Sequence, residues 1–401
     1  MKKYYLALTV ALLSTVAVAQ HKPYITRIYD FRPAPGQFVN ELPEWEPGDT
    51  HETMLERVAE AICGYDRTLT DGTTRPVVAD AMVSLGAFGG YVVFGFDHPV
   101  VNVPGELDLQ IFGNAFQSDE SSLSGGSCEP GIVMVSTDVN GNGIPDDAWY
   151  ELAGSDHNAA GTQRGYTITY YRPDPDKTPV ASSNYRFVTD AEYIRWTAND
   201  ALNPDSVAGY MPKISFHTQS YWPEWIEGDQ LTFTGTKLAC NAIALNDKGT
   251  NWLQLFLDWG YVDNRSDFPY QGGEPQEKQN KGFDLGWAID DDGNPVKLAS
   301  IDFVKVYTAM NQWCGWVGET STEVAGAIDL HPDAEVPEPQ GIVGDVNGDG
   351  EVTATDVAMI VNILAGLEPR IDAADVNGDN EVSATDIAMV VNILAGLQDN
   401  E

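Results

Sequence analysis

The stretch GDVNGDGEVTATDVAMIVNILAGL, residues 344–367, returns thirty residues later as ADVNGDNEVSATDIAMVVNILAGL, residues 374–397. Each copy sets oxygen-bearing side chains at alternate positions and then turns apolar. A hard cation such as calcium takes six to eight oxygens, and a twelve-residue loop supplies them from positions 1, 3, 5, 7, 9 and 12. In the first copy these are Asp345, Asn347, Asp349, the backbone carbonyl of Glu351, Thr353 and Asp356. In the second they are Asp375, Asn377, Asp379, the carbonyl of Glu381, Ser383 and Asp386. The sharp turn at position 6 falls on Gly350 and on Asn380, a residue that tolerates left-handed backbone better than most.

The apolar halves read as helices. Val357, Ile360, Val361 and Leu364 recur at helical spacing, as do Ile387, Val390, Val391 and Leu394. Thr353 and Ser383 suit helix N-caps, with a carboxylate three residues on, and Gly366 and Gly396 suit helix ends. Neither unit can bury its stripe alone, so the two are expected to pack together. Neither loop has an entering helix before it, and both have Asp at position 12, where the usual EF-hand has Glu. On these residues the segment 341–398 resembles a type I dockerin. The resemblance implies two calcium ions and calcium-dependent binding to a cohesin module of an extracellular polysaccharide-degrading complex. It further implies cohesin contacts at Ala354 and Thr355 and at Ala384 and Thr385, with either half able to face the partner after a half-turn.

At the other end, Lys2 and Lys3 precede an apolar run to Val18, and small residues at 17–19 fit signal cleavage before Gln20. The expected organisation is a signal peptide at 1–19, a body at 20–331, a Pro-rich linker at 332–340 and the dockerin at 341–398. The expected location is secreted, or held at a cell surface by a partner. Sixty acids against 22 Lys and Arg give a formal charge of −38, which disfavours nucleic acid and anionic membranes as partners. Cys63, Cys128, Cys240 and Cys314 leave two disulfides or four free thiols open, and no Cys/His spacing suggests a zinc site.

The body reads as a β-sandwich or jelly roll. Short β-rich runs such as YVVFGF, GIVMVST, GYTITYY, LTFTGT, WLQLFLDW and IDFVKVYT are separated by Gly, Asn and Pro turns. GYTITYY and WLQLFLDW alternate, placing Tyr166, Ile168 and Tyr170 on one face and Leu253, Leu255, Leu257 and Trp259 on another. One helix is expected over 50–63, with an apolar stripe of Met54, Val58, Ala61 and Ile62.

Within the body, DVNGNGIPDDAWYE sets Asp138, Asn140, Asn142 and Asp146 at positions 1, 3, 5 and 9 of a third calcium loop. Position 12 is Trp149, so Asp147 or Glu151 has to close it. HTQSYWPEW, residues 217–225, mixes aromatic and turn-forming residues and is expected to be an exposed binding loop through Tyr221, Trp222 and Trp225. No acid pair among Asp258, Asp263, Asp284 and Glu319 has a spacing diagnostic of glycoside hydrolysis. Catalytic residues are therefore unassigned. The runs GGYVVFGFDHPVVN, EPGIVMVSTDVNGNGIPDDAWYELAGS and GWVGETSTEVAGAIDLH resemble a family of exported gut-bacterial cell-surface proteins of no recognised activity. That resemblance favours a body that binds glycan or another bulky ligand. A glycoside hydrolase and a scavenger of a non-sugar nutrient remain as alternatives.

Overall fold

The computed structural model describes residues 21–118, 123–205, 207–265, 282–337, 343–347, 352–379 and 381–397. The expected signal peptide and the loop positions Asp349, Gly350, Glu351 and Asn380 lie outside the described residues. The chain divides into two compact units, one ending at Val336 and one beginning at Pro337.

The first unit is built on an antiparallel six-stranded sheet. Its strands run in the order Arg27–Arg32, Tyr91–Gly95, Phe303–Thr308, Gly131–Ser136, Tyr150–Leu152 and Ala288–Ile289. The third strand in space comes from near the end of the body, so the sheet is complete only when the chain has returned across it. Both faces are buried, which is why YVVFG is a continuous apolar run. Val92, Phe94, Val133, Val135, Val304 and Val306 enter one core, and Ile132 and Tyr307 enter a second.

A four-stranded antiparallel sheet closes over the second core. Its order is Ala208–Ile214, Val188–Ala198, Gln163–Tyr171 and Gln230–Lys237. Tyr166, Ile168 and Tyr170 point inward, as their alternation requires. Thr167 and Thr169 face out and bond Thr234 and Thr232 across the strand pair. Two sheets sharing one core make the body β-rich and sandwich-like.

Over the first core lies α1, His51–Ile62, capped by the Thr50 hydroxyl on the Thr53 amide. Met54, Val58, Ala61 and Ile62 are its buried face. Burying the three larger chains stabilises by about 1.5–3 kcal/mol each. A smaller sheet contains the strand Trp252–Leu255, which ends before the expected run is complete. There Gln254 is buried beside Leu253, contrary to the expected alternation. Its amide faces the Thr320 hydroxyl and the Glu129 carboxylate. All four cysteines are free thiols.

The second unit holds two matching helices, α2, Ala354–Leu364, and α3, Ala384–Leu394. Val346, Ile360, Ala374 and Val390 form its small core. The expected stripe splits: Ile360 and Val390 are buried, while Val361, Leu364, Val391 and Leu394 are 45–47% exposed. No helix among the described residues is long and apolar enough to cross a membrane.

Candidate functional site

In the second unit each loop is tied to the helix that follows it. Thr353 and Ser383 cap α2 and α3, and Asp356 and Asp386 complete reciprocal capping boxes. Both carboxylates are fully buried. Asp356 accepts the amides of Val346 at 2.8 Å, Asn347 at 3.0 Å and Thr353 at 2.7 Å. Burial alone would raise its pKa, but these backbone bonds outweigh it and hold Asp356 below the usual carboxylate range. Asp386, with the amides of Asn377 and Ser383, behaves likewise.

The front of the second loop is a turn of converging oxygens. The Asp379 amide donates to Asp375 Oδ1 at 3.1 Å and to Asn377 Oδ1 at 2.9 Å. The Glu381 amide donates to Asp379 Oδ1 at 2.9 Å. Of the first loop, Asp345, Asn347, Thr353 and Asp356 are described, while Asp349 and Glu351 are not. The donor set of carboxylate, amide and hydroxyl oxygens fits a hard divalent cation. Ala354, Thr355, Ala384 and Thr385 are exposed at the two helix starts.

The body loop repeats the front of this pattern. The Asn142 amide donates to Asp138 Oδ1 and Asn140 Oδ1, both at 3.0 Å, and the Ile144 amide to Asn142 Oδ1 at 2.7 Å. Asp146 accepts the side-chain amides of Asn140 and Asn142 at 3.1–3.2 Å. Gly141 and Gly143 adopt φ of 69° and 71°, where a Cβ would be strained. Asp147 stays at the loop, accepting the Val139 amide. Glu151 does not: it turns inward to His157 Nδ1 at 2.8 Å and the Thr236 hydroxyl at 2.6 Å. Of the two expected closing residues, only Asp147 is in place.

The aromatic loop is a correction. Tyr221 and Trp222 are fully buried and Trp225 is 7% exposed, so their faces are core rather than a stacking platform. Trp225 stacks on Phe31, Tyr221 meets Tyr193 edge-on, and the Arg172 guanidinium covers Trp222 at 5.1 Å. The turn-rich segment is itself buried at Tyr221–Pro223, because its rings have cores within reach. Both indole N–H groups are buried, and neither has a hydrogen-bond partner among the described residues.

Trp222 lines a cleft of about 530 Å³ with Arg172, Lys177, Tyr193, Lys213 and Glu224. Arg172 is held by Glu224 at 3.0 Å, and Lys177 by Asp190 at 3.6 Å. Lys213 instead lies over the ring of Tyr193, 4.7 Å from its centroid. A second cleft of about 560 Å³ lies between α1 and the same loop, lined by Asp30, Arg32, His51, Glu224, Trp225 and Glu227.

The acids considered as catalysts line neither cleft. Asp284 caps a short 3-10 turn through the Gly286 amide. Asp263 accepts the Asn114 and Ala115 amides at 2.7 Å, and Glu319 accepts the Gln37 amide. Around them the fold buries Glu129 and Glu323 as well, which spacing in the sequence did not reveal. Burial pushes Glu319 up to about 8 and Glu129 to about 7, and holds Glu323 well above the usual range.

No curated protein matches the chain. The family model for the Dockerin type I domain matches residues 343–395, the two loops, their caps and both helices: the C-terminal unit of this chain is a type I dockerin.

Proposed function

We propose that this chain is an exported component of an extracellular polysaccharide-degrading complex, attached by its dockerin and presenting its body to glycan. The C-terminal unit docks on a cohesin module when calcium is bound. Asp345, Asn347, Asp349, the Glu351 carbonyl, Thr353 and Asp356 hold one ion. Asp375, Asn377, Asp379, the Glu381 carbonyl, Ser383 and Asp386 hold the other. The ions neutralise clustered carboxylates and fix the helix starts, so that Ala354, Thr355, Ala384 and Thr385 meet the partner. The observation that carries this reading is the match over residues 343–395 together with the doubled capping geometry. A third ion at Asp138, Asn140, Asn142, Asp146 and Asp147 clips the body loop; support comes from its hydrogen bonds, which follow those of the dockerin loop.

The body binds glycan in the cleft beside Trp222. What favours this cleft is its half-buried Tyr193 beside the ammonium of Lys213, in a chain that is otherwise strongly acidic. Lys213→Ala and Tyr193→Ala, titrated by calorimetry against soluble plant and host glycans, are expected to weaken binding about tenfold each, roughly 1.4 kcal/mol. Unchanged affinity in both variants would move the ligand elsewhere. New reducing ends released by the unaltered chain would replace the binding reading with hydrolysis.

A further inference from the structure

Residues 21, 97, 98 and 329 are far apart or chemically unremarkable in the sequence, yet the fold gathers them. The His98 side chain is 4% exposed and both ring nitrogens meet carboxylates. Nδ1 is 2.7 Å from Asp97 Oδ1 and Nε2 is 2.7 Å from Asp329 Oδ2. Asp329 is itself buried and fixed: it ends the strand Ala327–Asp329, its amide donates to the Pro23 carbonyl, and its Oδ1 accepts the His331 amide. His21 Nδ1 lies 3.7 Å from the same Asp97 oxygen, and its ring packs on His98 with centroids 4.5 Å apart. One nitrogen from each histidine and one Asp97 oxygen all lie within 4.8 Å of one another.

From this geometry we propose a divalent zinc site formed by His21, Asp97 and His98, with Asp329 as the residue that positions His98. Two imidazoles and one carboxylate form an N,N,O set that suits zinc and neighbouring late transition ions better than calcium. A ligating histidine ordinarily donates its other N–H to a carboxylate, which fixes the tautomer and ring orientation. Asp329 does that here from a fully buried position, leaving His98 Nδ1 facing Asp97 and His21.

On binding, the dication would displace the proton that His98 Nδ1 donates to Asp97, leaving two neutral rings and two carboxylates to balance its charge. The neighbouring pair Lys22 with Asp66, at 2.5 Å, is already neutralised within itself. Tetrahedral bonds of about 2.0–2.1 Å put ligand atoms roughly 3.3 Å apart. His21 and Asp97, 46% and 39% exposed, are free to adjust, His21 closing from 3.7 Å and Asp97 opening from its 2.7 Å hydrogen bond with His98, which leaves a fourth position to water. Such an ion would tie the segment before the strand Arg27–Arg32 to the turn after the strand Tyr91–Gly95.

The test uses the full chain in excess calcium, which occupies the oxygen loops, titrated with zinc chloride by calorimetry and with Co2+ by visible absorption. The expected result is one added site per chain with tetrahedral d–d bands. His21→Ala should abolish both, Asp329→Asn should weaken affinity about 10–100-fold, and His51→Ala should leave both unchanged. Zinc binding that is absent, or the same in the His21→Ala chain as in the unaltered one, would overturn the site. His21 is exposed, so its replacement leaves the fold intact.

Discussion

The dockerin loop at 375–386 and the body loop at 138–149 begin alike and end differently. In both, the position-5 amide is shared between the oxygens of positions 1 and 3, and the position-7 amide bonds position 5, at distances that agree within 0.2 Å. That half is local: alternating Asp and Asn with a turn dictates it wherever it occurs. Closure is not local. In the dockerin, position 12 is Asp386, fixed in the first turn of a helix by backbone amides. In the body, position 12 is Trp149, a strand follows at Tyr150–Leu152, and of the two residues expected to close the loop only Asp147 stays at it. The surroundings differ too. The dockerin core rests on four fully buried residues, whereas the body loop hangs from two large cores. The same ion chemistry should therefore decide folding in one place and only trim it in the other.

The largest effect should come from breaking the dockerin loops together. Asp345→Ala and Asp375→Ala singly should leave cohesin binding, because Ala354 with Thr355 and Ala384 with Thr385 are exposed alike in both halves. The double variant should lose affinity on the order of a hundredfold or more. Surface binding against a panel of cohesins decides this; complete loss in one single variant would mean the halves are not interchangeable.

A second effect should set the body apart, through the carboxyls buried in its core. Burial raises Glu129 to about 7 and Glu319 to about 8, from an ordinary 4.5. Between about 4.5 and 8 the folded body thus binds more protons than the unfolded chain. Its stability should be highest near the low end of that window and fall as pH rises through it. Asp30, Asp97 and Asp200 shift the opposite way, and their stabilisation is lost only below the ordinary carboxylate range. The body Tm should be higher at pH 5 than at pH 8, with the gap narrowed by Glu319→Gln. Equal Tm values at the two pH values would refute the buried-proton account.

The smallest effect belongs to the body loop. Asp138→Ala should cost about 1 kcal/mol more in calcium than after chelation, a difference of roughly 2–4 °C in Tm. A drop of the same size in chelator would show that Asp138 acts only through its bonds to Asn142 and Gly143.

What could be read from the chain follows the same division between local and distant causes. The helix after Thr50, the alternation of Tyr166, Ile168 and Tyr170, and the dockerin repeats depend on neighbours a few residues away, and they appear where the pattern puts them. Gln254 and the rings of Tyr221, Trp222 and Trp225 depend on partners far along the chain. Gln254 turns inward because Glu129 and Thr320 are there to meet it. The rings turn inward because Phe31, Tyr193 and Arg172 complete their packing. The same blindness hid the buried acids and the His21, Asp97 and His98 cluster, whose members meet only after strands distant in sequence pair, Arg27–Arg32 with Tyr91–Gly95 in the case of the cluster.

Calorimetric melting of the full chain, first in calcium and then in chelator, tests the contrast between the two units most directly. Two transitions are expected in calcium. Chelation should remove the dockerin transition and shift the body transition by only a few degrees. A dockerin transition that survives chelation, or a body that melts with it, would contradict the account.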